Sequence, residues 1–165
     1  MEKLGVISDT HDNLDAIGKA VDEFNKRKVS LVLHAGDYVF PFTAKIFSRL
    51  NCKLIGVFGN VDGEKEHLRG KFESFGAEIV GEFAEVEFLG VKIALIHGVY
   101  EPIVRALAKS GEYALVLHGH THKAKVDRIG ETLVLNPGEA CGYLTGERTI
   151  AIVSFPEKTV EIVRI

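Results

Sequence analysis

VISDTHDN, residues 6–13, decides how the rest of the chain is read. An apolar run with the character of a buried strand stops at Asp9, His11 and Asp12, with only Thr10 between the first two. Carboxylates and imidazoles are costly beside a core unless something pairs with them. The same texture recurs down the chain. LVLHAG (31–36) leads to Asp37, and LIGVFG (54–59) leads to Asn60 with Asp62 beyond it. IALI (93–96) leads to His97, and ALVLHGH (114–120) leads through His120 to His122. In open α/β sheets, ligand sites form at the carboxyl ends of strands. Five strand ends of one sheet are therefore expected to bring two carboxylates, four imidazoles and one amide to a common rim. Asp9 with His11, and His120 with His122, are spaced i, i+2, which in extended chain turns both side chains of a pair to one side. Gly36, Gly59, Gly98 and Gly119 adjoin these polar residues, where a side chain would obstruct a tight turn.

The intervening segments set the fold class. Leu4–Ser8 is expected as a strand, with Asn13 capping a helix whose Leu14, Ile17, Val21 and Phe24 share a face. Leu31–Ala35 and Lys53–Phe58 follow as strands, with helical turns at Thr43–Leu50 and a moderately polar helix over Gly63–Phe75. Short apolar strands separated by helices imply a mostly parallel sheet covered on both faces. After Gly76 the texture changes. Glu82–Phe88 alternates polar with apolar and pairs with Val91–Ile96 as a hairpin. Pro102–Ser110 is a helix, Ala114–Leu117 a buried strand, and Lys125–Ile129, Thr132–Leu135, Thr149–Phe155 and Thr159–Arg164 complete a β-rich second half. An α/β half joined to a β-rich half predicts two sheets packed face to face with helices outside.

Residues 1–165 fit one domain, large enough for a continuous core. The composition, 46% hydrophobic and 26% charged, is ordinary for a globular protein, and the net charge of −3 carries no global basic field to attract nucleic acid. Cys52 and Cys141 lack finger spacing and are expected as small core residues of a reducing cytoplasm. No signal peptide or stretch of about 18 apolar residues is present, so no membrane partner is expected.

The ordered set Asp9-Thr-His11, Gly36-Asp37, Gly59-Asn60-Val-Asp62, His97-Gly98 and Gly119-His120-Thr-His122 resembles that of the calcineurin-like metallophosphoesterases. The likeness is greatest to their small single-domain YfcE-type phosphodiesterases, and it covers nearly the whole chain, including the Asn136-Pro-Gly138 turn. It implies an α/β, four-layer αββα sandwich of two mixed sheets. It also implies a metal-dependent phosphodiesterase that hydrolyses small phosphodiesters by attack of a hydroxide held at a dinuclear divalent-metal centre. By that likeness Asp9, His11 and His122 hold one ion, Asn60, His97 and His120 hold the other, and Asp37 bridges them. Asp37, Asn60 and His97 are then the catalytic members. Oxygen and imidazole donors suit Mn, Ni, Fe, Zn or Mg, and the sequence does not choose among them.

One position departs from many family members. Val61 stands where they carry a histidine thought to assist the leaving group, a histidine that YfcE-type proteins likewise lack. Losing a general acid typically costs about 10²–10⁴-fold, so diesters and acidic leaving groups are expected to be favoured over monoesters. Asp62, freed from orienting that histidine, is expected to N-cap the helix near Gly63. His34 and His118 are expected as hydrogen-bonded strand residues, and His67 as a solvated helical one, with a lean toward the site as its alternative. Thr10 and Thr121 are candidates for holding metal ligands in orientation, and Tyr100 is expected to serve loop packing, with the lining of the substrate mouth as its alternative. Two alternatives belong to other classes. A protein-interaction module on the same fold, like the related retromer scaffold subunit, would have lost part of the site, whereas all seven positions here keep competent donors. A nuclease would use Lys45, Arg49, Lys65, Arg69 and Lys71 as a basic surface, but such spacing more often marks a solvated face. Homo-oligomerisation is left open.

Overall fold

The computed structural model describes residues 1–165. Its elements are β1 (Lys3–Ile7), α1 (Leu14–Arg27), β2 (Leu31–His34), a 3₁₀ turn (Pro41–Thr43), α2 (Ala44–Phe47), β3 (Lys53–Gly56), α3 (Lys65–Glu73) and β4 (Glu78–Ile79). They continue as β5 (Phe83–Phe88), β6 (Val91–Ile96), α4 (Glu101–Lys109), β7 (Leu115–Leu117), β8 (Ala124–Ile129), β9 (Thr132–Pro137), β10 (Thr149–Ser154) and β11 (Thr159–Arg164). One sheet has the order β11-β10-β1-β2-β3-β4 and the other β5-β6-β7-β9-β8. Both are mixed. β1 pairs parallel with β2 and antiparallel with β10, while β7 runs parallel to β6 and β9, with antiparallel β5 and β8 at the edges.

Period-2 alternation explains the layers. Leu4, Val6, Leu31 and Leu33 of the first sheet meet Ile93, Leu95, Leu115, Leu117, Leu133 and Leu135 of the second in one buried cluster. The opposite face of the first sheet, with Ile7, Val32 and Ile152, packs under Ile17, Val21 and Phe24 of α1 and Phe72 of α3. On the second sheet, Ala94, Val116 and Val134 lie under Val104 and Ala108 of α4. The result is the αββα sandwich. Gly5 permits the approach of α1, since a Cβ there would meet the Phe24 ring at 2.6 Å. Asn13 caps α1 as expected, its Oδ1 accepting from Ala16 N at 3.1 Å.

Two expectations are corrected. The donor-bearing strands do not belong to one sheet: β1, β2 and β3 lie in the first, and β6 and β7 in the second. An apolar run carries no record of which neighbour it pairs with. Asp62 does not cap α3, which begins at Lys65 without a side-chain cap; it is buried elsewhere.

Candidate metal centre

The loops after the five strands meet at one end of the sandwich. Asp9 N and His11 N donate to Gly36 O and Asp37 O, each at 3.0 Å, zipping the loop after β1 to the loop after β2. Gly119 N donates to His97 O at 2.9 Å within the second sheet, and His120 N donates to Asp9 Oδ2 at 3.1 Å between the sheets. The i, i+2 pairs do not converge through extended chain. Asp9, His11, Asp37, His120 and His122 all have positive φ, between 39° and 68°. Non-glycine residues hold that conformation only where surroundings enforce it, and such sites are commonly functional. Gly119 gives the room, because a Cβ there would lie 2.5 Å from Asp9 Oδ2.

Asp9, His11, Asp37 and His122 each place one ligand atom within 4.8 Å of the others. His122 Nε2 is 3.3 Å and His11 Nε2 is 3.7 Å from Asp9 Oδ1. Beside this group lies a second. His97 Nε2 is 3.1 Å from Asp37 Oδ2, and His120 Nδ1 is 3.3 Å from His97 Nε2 and 3.0 Å from Asn60 Oδ1. Asp37 Oδ2 also faces His11 Nε2 at 3.5 Å, so one carboxylate oxygen belongs to both groups. All seven residues singled out in the sequence are thus brought together.

Electrostatics within the cluster are reciprocal. Burial pushes the Asp9 and Asp37 pKa values up, but the neighbouring imidazoles outweigh it and hold both carboxyls below their usual range. The His11 pKa is raised, chiefly by Asp9. Burial disfavours His97 imidazolium, yet Asp37 and Asp9 win and raise its pKa. Burial and the charge of His97 lower that of His120. Asp9 Oδ1 and His11 Nε2 are buried with no hydrogen-bond partner. An orphaned buried polar atom costs about 1–3 kcal/mol, and a divalent cation would relieve both. With this donor set, the residues fit a metal.

The family then follows from the chain as a whole. The model of the calcineurin-like phosphoesterase superfamily domain matches residues 2–158. The chain belongs to this superfamily. It is 41% identical over 157 residues to a phosphodiesterase of Methanocaldococcus jannaschii, covering 94% of this chain and 95% of that one. A solved structure of an archaeal phosphodiesterase superposes with a TM-score of 0.95 at 38% identity over 99% of each chain. The E. coli phosphoesterase YfcE, at 20% identity, shares the fold with a TM-score of 0.66 over 99% of each chain. Membership in a metallophosphoesterase family accords with the divalent-metal donors above.

Within this phosphoesterase frame, several residues take places that the sequence did not reveal. Glu139 is fully buried, and its carboxylate accepts from His122 Nδ1 (2.5 Å), Thr145 N (2.6 Å), Thr145 Oγ1 (2.7 Å), Leu144 N (3.0 Å) and the Cys141 thiol (3.3 Å). Burial opposes its ionisation, but the donors, His122 foremost, hold its pKa down to about 2. An ionised acceptor at Nδ1 places the proton there and turns the Nε2 lone pair to the centre. Ala35 O does the same for His97, accepting from Nδ1 at 2.7 Å. Asp62 accepts from Gly59 N (2.7 Å), Val39 N (2.8 Å) and Asp37 N (3.0 Å), pinning the loops after β2 and β3 to each other.

Of the other residues weighed from sequence, His34 is buried. Its Nδ1 accepts from Gly36 N at 3.0 Å and its Nε2 meets Thr10 Oγ1 at 3.2 Å. Thr121 Oγ1 accepts from Asn136 Nδ2 at 3.0 Å. His118 lies just past β7, half-buried, its Nδ1 3.3 Å from Gly119 O. His67 is exposed and pairs with Glu64 at 3.1 Å. Cys141 is buried, while Cys52 sits half-buried against the core. Tyr100 does not serve loop packing: it is 69% exposed and lines a cavity of about 390 Å³ whose wall includes Asn60 and His97.

Proposed function

We propose that this chain is a phosphodiesterase that hydrolyses small phosphodiesters with two divalent ions, one held by Asp9, His11 and His122 and the other by Asn60, His97 and His120. Asp37 serves both. The observation that carries this reading is the position of Asp37 Oδ2, 3.5 Å from His11 Nε2 and 3.1 Å from His97 Nε2. The phosphodiesterase of M. jannaschii, similar over 94% of this chain, supports the reaction class. When bound, such ions supply Lewis acidity to a phosphoryl oxygen and lower the pKa of water, and the oxygen and imidazole donor types suit Mn, Ni, Fe, Zn or Mg without ranking them.

The chain's own part is orientation. Asp37 Oδ1 accepts from Val61 N at 3.2 Å, which aims Oδ2 at the shared position. Asn60 is exposed at the lip and offers its amide to a phosphoryl oxygen. The cavity beside Tyr100 and Ile103 leaves room for the alcohol portion of a diester. Val61 has no proton to give, and Asp62 is committed to three backbone amides, so neither protonates a leaving group. Diesters and acidic leaving groups are therefore preferred over alkyl monoesters.

The test is a phosphoester panel run on metal-free protein reconstituted separately with Mn, Ni, Mg and Zn. Turnover of aryl diesters above alkyl monoesters, lost in Asp37→Ala, is expected. Best activity on simple alkyl monoesters, or none with any metal, would defeat the proposal. Convergence of seven competent donors disfavours a scaffold that has abandoned the site.

A further inference from the structure

The five basic residues noted in the sequence are divided by the fold. Arg49 pairs with Asp22, Lys65 with Glu82 at 2.9 Å and Arg69 with Glu66 at 2.8 Å. Lys45 and Lys71 have no carboxylate partner, and these two line one groove of about 480 Å³ together with Phe40, Phe42, Ser48 and His67. No acidic side chain lines it; the Glu64 that engages His67 stands outside. Phe40 and Phe42 are 48% and 56% exposed, with rings inclined by only 14° and centroids 6.1 Å apart.

This aromatic pair rests on a firm mount. Phe40 N donates to Asp12 Oδ1 at 3.0 Å, Thr43 Oγ1 donates to Phe40 O at 3.0 Å, and Pro41 restricts the backbone between the two rings. Phe40 follows Asp37 by three residues, so the Cα atoms of the groove's first aromatic and of the carboxylate shared by both ligand groups are at most about 11 Å apart. Two parallel π faces beside two unpaired ammonium groups, with no acid among them, match a planar heterocycle carrying a phosphate. Every nucleobase has a π face for aromatic side chains, and lysine supplies the phosphate contact.

We propose that this groove is a nucleotide subsite. It receives the base and terminal phosphate of the nucleotide next to the scissile diester in a short dinucleotide. The assignment rests on the phosphodiesterase reading and names a substrate class for it. Two lysines serve one phosphate, and the neutralised Arg49, Lys65 and Arg69 offer no extended track, so the ligand is short.

The test compares two substrates with the full chain loaded with Mn²⁺: the thymidine dinucleotide dTpdT and the same dinucleotide bearing a phosphate at both ends. The phosphorylated form is expected to have about tenfold higher kcat/KM, carried by KM, and Lys45→Ala/Lys71→Ala to erase that ratio. Phe40→Ala/Phe42→Ala lowers kcat/KM for both dinucleotides by about tenfold. A wild-type ratio near one, or a ratio that survives removal of the lysines, overturns the subsite. So does hydrolysis of an aryl diester without turnover of either dinucleotide, which leaves the phosphodiesterase reading standing. If no diester is hydrolysed, that reading falls instead, and calorimetry with thymidine 3′,5′-bisphosphate decides the groove. Binding that weakens with salt and disappears without the lysines upholds it; absence of binding removes it.

Discussion

Glu139 shows how much a single buried charge can organise. Its carboxylate is surrounded only by donors, from His122, Cys141, Leu144 and Thr145. Glu139→Gln forces an amide NH₂ among those donors and removes the charge that fixes the His122 proton. Metal affinity measured by calorimetry is expected to fall about 10–100-fold while circular dichroism reports a retained fold. Unchanged affinity would confine Glu139 to a role in the loop. His34 makes a different demand. Burial lowers its pKa from 6.5 to about 3, so between those values the unfolded chain binds a proton that the folded chain refuses. Stability is present above about pH 6.5 and is lost as pH falls toward 3, at up to about 1.4 kcal/mol per pH unit. Urea midpoints for His34→Gln should show a flatter acid limb than wild type over that window. The polar character of His34 was visible in the sequence. The role of Glu139 was not, because it depends on a fold-back to His122 across 17 positions.

Strands and turns were the most legible elements. Apolar runs of three to six residues, each stopping at a donor, appear as β1, β2, β3, β6 and β7. The conformation at their ends was not legible. Alternation suggested extended pairs, whereas Asp9, His11, His120 and His122 adopt left-handed backbone because the loops after strands in two sheets are tied together by hydrogen bonds. Asp62 looked like a helix cap because aspartate before a helix often is one. Three backbone amides of the neighbouring loops outbid that local use. Gly59 tests the tightness of this junction. Its φ is ordinary, yet a Cβ would fall 1.9 Å from Asp37 Oδ1. Gly59→Ala should therefore displace Asp37 and weaken metal binding by about tenfold or more, with a lower melting temperature. An alanine variant that binds metal like wild type would show that the junction gives way elsewhere.

Because the ligand groups come from both sheets, metal binding should fasten the sandwich at one end. Metal-free protein titrated with Mn²⁺ should melt at higher temperature, by the equivalent of about 2.7 kcal/mol per site at a hundredfold excess over Kd. Asp37→Ala should lose most of that increment, since it removes the oxygen that faces both groups. Acid should weaken the effect. The pKa values of His11 and His97 are raised by Asp9 and Asp37, so protons compete with the metal for the same nitrogens as pH falls.

The sequence by itself determined the two-sheet α/β class, the strands, and the seven candidate donor residues that the fold brings together. Each of those rests on local apolar patterning and on polar residues that a core would otherwise exclude. Only the tertiary structure decided that the centre straddles two sheets, that Asp62 and Glu139 support it from beneath, and that Lys45 and Lys71 alone of the basic set remain unpaired. Those facts depend on which distant segments meet, and hydrogen bonds and ion pairs between such segments leave no periodicity in the chain.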